Sequence, residues 1–401
     1  MKKSLLILFF TCWALFFAAF RPVMPFAAET AAFPDGTPVT GGRILMGTIG
    51  EPSNLIPYMA SDSASGEITG LLYVAPLKYD KDLNVVPWAA ASYEVLEGGR
   101  LLRFVLRDDI RWEDGVPLTA DDVEFTYKLM IDPKTPTAYS GDFLAIESFK
   151  KTGRLSFEVR YAKPFARSLM TWMGAILPKH VLEGQDIMTT PVARKPIGAG
   201  PYRLAKWDAG SMLTLTASDT YFEGRPNLDE VVYRIIPDPS TMFLELKAGK
   251  LDMMSLSPQQ YLRQTQGPQW ERDWRKYRYL SFSYTFLGFN LEHPFFKDVR
   301  VRRAISMAID RQSLIDGVLL GQGVPTVGPY KPGTWAYNDK LTPVRQDVDE
   351  ARRLLDEAGW KKNKDGLLER DGKPFLFTIL VNQGNDSRIK AAIIIQSQLK
   401  A

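Results

Sequence analysis

The stretch Arg111–Val123, which reads RWEDGVPLTADDV, carries the clearest fold signal in the chain. Within it, Thr119 precedes Asp122 by three residues, which fits a capping box at the start of a helix. Apolar residues then recur at helical spacing as far as Ile131, where an Asp-Pro pair predicts the end of the helix. Upstream, residues 101–107 have the composition of a strand. The stretch therefore predicts a strand, a loop and an amphipathic helix in succession.

The same alternation of strand and helix patterns continues along the chain and predicts a mixed α/β protein. Helices are predicted to begin after Asp298, Asp310 and Asp347, because an Asp side chain can accept hydrogen bonds from the free amides of a first turn. The clearest alternation of apolar and polar residues lies in Tyr279–Asn290. Further segments of strand composition are residues 43–49, 155–161, 212–217 and 231–236.

The last segment of the sequence predicts a strand followed by a helix. Phe375–Leu380 has strand composition, and the apolar stripe of the helix is traced by Ile389, Ala392, Ile393, Gln396 and Leu399. A strand and an amphipathic helix form the first part of a crossover unit, whose partner strand normally follows. We therefore expect a domain that continues beyond residue 401.

The N-terminus has the pattern of an export signal. Lys2 and Lys3 precede seventeen uncharged residues, Ser4–Phe20, and small residues follow at positions suited to cleavage before residue 33. An uncleaved membrane anchor is the alternative, although this run is marginal for a bilayer core about 30 Å thick. Cys12 is preceded by large residues rather than the small ones of a lipobox, so we expect no lipid anchor.

Composition excludes several classes of function. The net charge of +4 over 401 residues argues against a nucleic-acid partner, which needs a concentrated basic face. Cys12 is the sole cysteine, and His180 and His293 are the only histidines, so few ligands or nucleophiles are present. Motifs of hydrolases, zinc enzymes and nucleotide-binding loops are absent from the sequence. We expect no catalytic residue, no cofactor and no metal site, and a secreted hydrolase is only a remote alternative.

Aromatic residues are the side chains of the sequence that are most notable as candidates for ligand binding. The chain has 9 Trp, 16 Tyr and 22 Phe, and eight aromatic residues fall between Trp270 and Phe289. Such side chains suit a pocket that buries a ligand of mixed polarity. Packing in a core is the alternative for each of them.

Several long motifs resemble those of the family 5 extracellular solute-binding proteins, the oligopeptide- and dipeptide-binding group. Besides RWEDGVPLTADDV, the residues that carry the resemblance are PIGAGPY at 196–202, YFEGRPNLD at 221–229, the segments 289–302 and 308–310, and ARRLLDEAGW at 351–360. They keep the order of the family and are spread from about residue 40 to the end.

The resemblance implies an α/β fold of the periplasmic-binding-protein kind, type II, with two lobes and the extra subdomain of the peptide-binding class. Residues 1–32 would be the signal peptide, 40–64 with 195–288 the core of lobe one, and 65–194 an inserted subdomain of lobe one. Residues 289–401 would be the start of lobe two. Family members continue well past this point, so lobe two would be incomplete.

The function that the resemblance implies is the capture of a solute for an ABC importer. A peptide or similar small molecule would be held in a cleft between lobes and delivered to a permease in the inner membrane, by a periplasmic monomer. The ligand stays open among peptides, nickel chelates, haem, sugars and other solutes. From their expected positions, Asp62, Ser63, Tyr284 and Asn290 are candidate ligand-binding residues. The alternative is a truncated fragment that does not bind.

Overall fold

The computed structural model describes residues 38–334 and 336–400. The predicted export signal at residues 1–32, with Cys12, lies outside this range. The described residues form two compact units. The first unit contains residues 38–264 and 378–393, and the second contains 265–334, 336–377 and 394–400. None of the helices in the described ranges has the length and apolar character that crossing a membrane requires.

One sheet of the first unit is mixed. Its four strands, in spatial order, are Arg43–Thr48, Glu230–Ile235, Met212–Ala217 and Tyr202–Asp208. The first pair is parallel and the others are antiparallel. Leu213 and Leu215 are fully buried, while Thr214 and Thr216 are only partly covered, so alternate residues of this strand face the core and the outer side of the sheet.

The second sheet of the first unit is antiparallel throughout. Its strands, in spatial order, are Ala90–Leu96, Leu101–Leu106, Ser156–Tyr161 and Ile146–Lys151. A ring cluster lies on its inner face, where Phe104 stacks on Phe157 with 4.8 Å between centroids and contacts Trp172 at 5.6 Å. These rings belong to the large buried core of this unit.

The helix predicted from the opening stretch spans Ala120–Ile131, and its capping box is confirmed. Thr119 Oγ1 accepts from the amide of Asp121 at 3.2 Å, and Asp122 Oδ2 accepts from the amide of Thr119 at 2.8 Å. Asp122 Oδ1 also accepts from the amide of Lys179 at 2.9 Å. Burial raises the pKa of Asp122 despite these bonds. One buried carboxylate therefore links the start of this helix to the start of the helix Lys179–Leu182.

Short helices and a hairpin complete the first unit. The helices are Ser63–Leu72, Ser140–Leu144, Ser168–Thr171, Lys179–Leu182 and Pro239–Lys247, and the hairpin pairs Leu77–Tyr79 with Val85–Pro87. The PIGAGPY segment packs on the end of the first of these helices. Gly200 donates its amide to the carbonyl of Leu72 at 2.9 Å, and a Cβ at Gly198 would lie 2.0 Å from that same oxygen. Because Gly198 and Gly200 have no side chain, the backbone of this motif can lie directly against the backbone of Leu72.

Helices are the main regular elements of the second unit. Its helices are Pro268–Asp273, Val299–Ala308, Arg311–Leu319 and Val348–Glu357, and the final helix, Asp386–Lys400, enters it at Ile394. Asp298, Asp310 and Asp347 accept first-turn amides, so the three predicted caps are confirmed. A small sheet joins Lys361–Lys362, Leu368–Arg370 and Lys373–Pro374. Trp360 is buried against Phe295 and Phe375 beside it.

Two strand predictions are wrong. Tyr279–Asn290 and Phe375–Leu380 contain no strand, and the nearest ladder ends at Pro374. Alternation makes a segment able to join a sheet, but a strand forms only where a neighbour pairs with its amides and carbonyls. In the described ranges no strand ladder includes either segment, although the amide of Phe375 donates to the carbonyl of Leu368 at 2.7 Å.

The final helix is confirmed, but the predicted apolar stripe is not its buried face. Ile395 is the buried residue of this helix, whereas Ile389 and Ile393 are exposed. The lobe boundaries after residues 64, 194 and 288 stay predictions. The compact units divide elsewhere, after residues 264, 377 and 393.

Candidate functional site

The first unit contains a pocket of about 590 Å³. Its wall is assembled from the loop at residues 54–60, the helix Ser63–Leu72 with the three residues after it, and the segments 138–143 and 167–175. Aromatic and apolar side chains dominate the lining, among them Tyr58, Trp88, Tyr139, Phe143, Met170 and Met173. Such a lining is typical of a site that buries a small ligand.

Tyr58 joins three parts of the pocket wall. Its hydroxyl donates to the carbonyl of Ala175 at 2.8 Å, and its own carbonyl accepts from Thr137 Oγ1 at 2.8 Å. Edge-to-face contacts link its ring to Tyr139 and Phe143, at 6.1 and 5.9 Å between centroids. Burial raises the pKa of the Tyr58 hydroxyl, which therefore stays a donor at neutral pH.

The backbone around Tyr58 is also specialised. Tyr58 has a φ of 73°, in the left-handed region that non-glycine residues rarely adopt. Opposite it, a Cβ at Gly174 would lie 2.2 Å from the Tyr58 hydroxyl oxygen. Strain of this kind persists where surrounding contacts hold it, and it is common in binding sites.

Asp62 is the N-cap of the helix that lines the pocket. Its Oδ1 accepts from the amide of Ser65 at 2.8 Å, and its Oδ2 accepts from the hydroxyls of Ser65 and Ser53 at 2.8 and 2.6 Å. Burial opposes ionisation of Asp62, but these hydrogen bonds outweigh it and hold its pKa below the usual value. Ser63 is the first residue of the same helix. Of Asp62, Ser63 and Ser65, only Ser65 lines the pocket.

Tyr284 and Asn290 lie in the second unit. The partly exposed ring of Tyr284 contacts Phe286 at 5.3 Å between centroids, and Asn290 Oδ1 accepts from the amide of Glu292 at 3.0 Å. The structure thus places Asp62 beside Ser63 in one unit and the other two candidates in the other unit. A ligand-binding role for these four residues stays a prediction.

One ion pair supplies the charge of the pocket lining. Arg167 Nη2 lies 2.7 Å from Asp142 Oδ2, and these two residues are the charged members of the lining among the described residues. Tyr73 is another polar lining residue. Its hydroxyl is buried, and no described residue is its hydrogen-bond partner.

Sequence reasoning missed the pocket because no single segment encodes it. Tyr58, Tyr139 and Arg167 come from loops and short helices far apart in the sequence, and none belongs to a recognisable motif. The sequence feature that came closest to indicating the pocket was the Asp-Ser pair at 62–63. This pair marks the start of the helix that contributes Ser65.

The fold and the comparisons define the class of this protein. The chain belongs to the bacterial extracellular solute-binding proteins: the family described as "Bacterial extracellular solute-binding proteins, family 5 Middle" matches residues 84–401. The predicted family and the predicted α/β fold class are confirmed. This family consists of solute-binding proteins, and the absence of catalysis stays a prediction.

Individual relatives make the likeness specific. The oligopeptide-binding protein AppA of Bacillus subtilis is 34% identical over 374 residues, which cover 91% of this chain and 68% of AppA. The solved structure of AppA in complex with a nonapeptide matches with a TM-score of 0.83 at 33% identity, over 91% of this chain and 73% of that chain. NikZ from Campylobacter jejuni in complex with Ni(L-His) matches with a TM-score of 0.77 at 28% identity, over 89% of this chain and 71% of that one.

Proposed function

We propose that this protein is the solute-binding component of an ABC importer and that it captures peptides or similar small solutes. The observation that carries the proposal is the aromatic pocket of about 590 Å³ in a chain 34% identical to an oligopeptide-binding protein. The protein would act outside the cytoplasm, in the periplasm, as a monomer. Its partner would be a permease in the inner membrane.

The chemistry of the pocket suits a peptide. Rings and methionines can bury apolar side chains of varied shape, because aromatic faces and thioethers accommodate many partners. Asn54, Ser65 and Thr69 add polar groups at the wall that can orient a ligand. Hydrogen bonds to a peptide backbone give affinity with little dependence on side chains.

The proposed mechanism is binding without chemistry. A ligand that has a higher affinity for one conformation shifts the population toward that conformation, and the permease then distinguishes loaded from empty protein. No bond in the ligand is broken. Asp62, Ser63, Tyr284 and Asn290 remain proposed contributors to ligand binding.

Calorimetry with defined peptides tests the proposal, and two tyrosines of nearly equal exposure provide a matched pair. Tyr139, 45% exposed, lines the pocket, whereas Tyr79, 44% exposed, does not. We expect Tyr139→Ala to weaken peptide binding about tenfold or more, since a ring at a binding site commonly contributes over 1 kcal/mol. Tyr79→Ala should bind as the wild type does. Equal affinity of all three proteins would remove the pocket from the ligand site.

The four residues predicted from sequence can be tested in the same assay. Asp62→Ala should weaken binding through the lost anchor of Ser65, and Tyr284→Ala should weaken it if that ring touches ligand. Unchanged affinity in both variants would exclude Asp62 and Tyr284. Absence of binding by the wild-type chain, in a protein that melts cooperatively, would reject the proposed function for this chain.

A further inference from the structure

Within the proposed function, we propose that Arg167 binds a carboxylate of the ligand, such as the free C-terminus of a peptide, and that Asp142 holds Arg167 in position. The ion pair at the pocket is therefore a recognition element for one end of the ligand. It determines specificity for an acid over the corresponding amide.

The two partners of this pair differ in exposure. The side chain of Arg167 is 64% exposed, whereas that of Asp142 is 23% exposed. The Asp142 side chain is thus the more covered of the two, and most of the Arg167 side chain remains accessible.

The guanidinium has donors left for a second partner. Arginine presents five N–H donors in a planar fork, and the contact with Asp142 runs from Nη2. A ligand carboxylate can add to the remaining edge with two parallel hydrogen bonds, the geometry in which arginine binds carboxylates most strongly. A ligand ammonium would instead have to displace the guanidinium from Asp142. Addition of a carboxylate keeps the contact between Arg167 and Asp142, whereas an ammonium breaks it, so the carboxylate is the favoured partner.

The rest of the lining offers no competing charge. Among the described residues that line the pocket, Arg167 is the one cation, and the other polar members are neutral apart from Asp142. A carboxylate brought into this partly apolar pocket has to be paired, because an unpaired charge loses its hydration without compensation. Arg167 is therefore the group that can pair with the carboxylate end of a ligand in this pocket.

Stability and recognition can be separated at this site. Exposed ion pairs contribute little to folding, so Arg167→Ala should leave the melting temperature near that of the wild type. A second pair serves as a matched control: Arg160 bonds Glu97 at 2.7 Å in the same unit and is not part of the pocket lining. Arg160→Ala removes an ion-paired arginine of the same unit without touching the site.

The experiment uses one peptide in two forms, with a free C-terminal carboxylate and with a C-terminal amide, titrated into the full chain. We expect wild-type protein to prefer the acid, and Arg167→Ala to bind the acid about 10- to 100-fold more weakly, as for loss of a charge-assisted hydrogen bond. Binding of the amide should change less than twofold. Arg167→Lys should recover part of the preference, and Asp142→Asn should lower affinity for the acid alone. Arg160→Ala should match the wild type.

Equal losses for acid and amide in Arg167→Ala would overturn the inference, because they would show that Arg167 only shapes the pocket. A preference governed by the peptide's N-terminal ammonium and removed by Asp142→Asn would overturn it as well. If the wild type binds neither form, the proposed function itself fails. Binding without discrimination between acid and amide defeats only the role given to Arg167.

Discussion

The two units of this chain use aromatic residues in opposite ways. In the first unit, Phe104 and Phe157 lie opposite each other on two paired strands, and both are fully buried. In the second unit, Tyr279 and Phe286 are 74% and 69% exposed, in a segment without a strand partner. The strand Ser156–Tyr161, which carries Phe157, and the segment Tyr279–Asn290 both have alternating apolar residues. The difference shows that alternation becomes a core only when a neighbouring strand completes the hydrogen-bond ladder and a second layer covers the rings.

The second unit does collect some of its rings. Trp360 is 1% exposed, and its centroid lies 4.5 Å from that of Phe375 and 4.9 Å from that of Phe295. Two helices pack beside this cluster through Ala304, Ala351 and Leu354. Helix packing and ring contacts therefore give this unit a small core, while the rings of the segment Tyr279–Asn290 named above remain exposed.

The largest expected effect separates a buried ring from an exposed one. Phe104→Ala should lower the free energy of unfolding by about 3–5 kcal/mol, because it removes a fully buried ring and leaves a cavity. Phe286→Ala, the same chemical change at an exposed position, should change it by about 0.5 kcal/mol or less. Urea denaturation of both variants measures the difference. Similar losses in the two variants would mean that the exposed segment is covered in solution.

A smaller effect tests how tightly the first unit is packed. Gly198→Ala should cost about 1–3 kcal/mol or more, since the new methyl group would meet the backbone oxygen of Leu72 at 2.0 Å and neither backbone can yield freely. Gly50→Ala is the control, because a Cβ there has no neighbour within 4 Å among the described residues. Thermal melts of both variants decide the point. A Gly198→Ala protein as stable as the control would show that the helix end is free to move.

The smallest effect is a pH dependence located in the first unit. Burial raises the pKa of Glu113 to about 7, with a contribution from Asp114 and against the opposing Arg203. The folded protein therefore keeps a proton that the unfolded chain releases near its usual pKa of 4.5. Stability is highest below that value and falls as the pH rises through the window up to about 7.

The expected loss across this window is on the order of 1 kcal/mol, because Glu113 is partly exposed and solvent screens its charge. Urea midpoints across the window measure it. Glu113→Gln should remove much of the dependence, and Glu147→Gln, at an exposed position of the same unit, should preserve it. A dependence that survives in Glu113→Gln would assign the proton to another group.

Local signals in the sequence were sufficient for most of the helices. The caps at Thr119, Asp298, Asp310 and Asp347 need only a side-chain oxygen and the amides of the next turn, so a few neighbouring residues encode them. Strand predictions were wrong where the partner strand had to come from elsewhere in the chain, as for Tyr279–Asn290. The site was reached only in part: Asp62 was singled out, but it fixes Ser65 rather than lining the pocket itself.

By itself the sequence determined the family, the α/β class and the starts of the main helices, because each follows from residues close together in the chain. The tertiary structure decided which alternating segments are strands and which rings are buried. It also decided that Tyr58, Tyr139 and Arg167 line one pocket. Those outcomes depend on contacts between segments tens of residues apart or more, whose register and spacing no local pattern specifies.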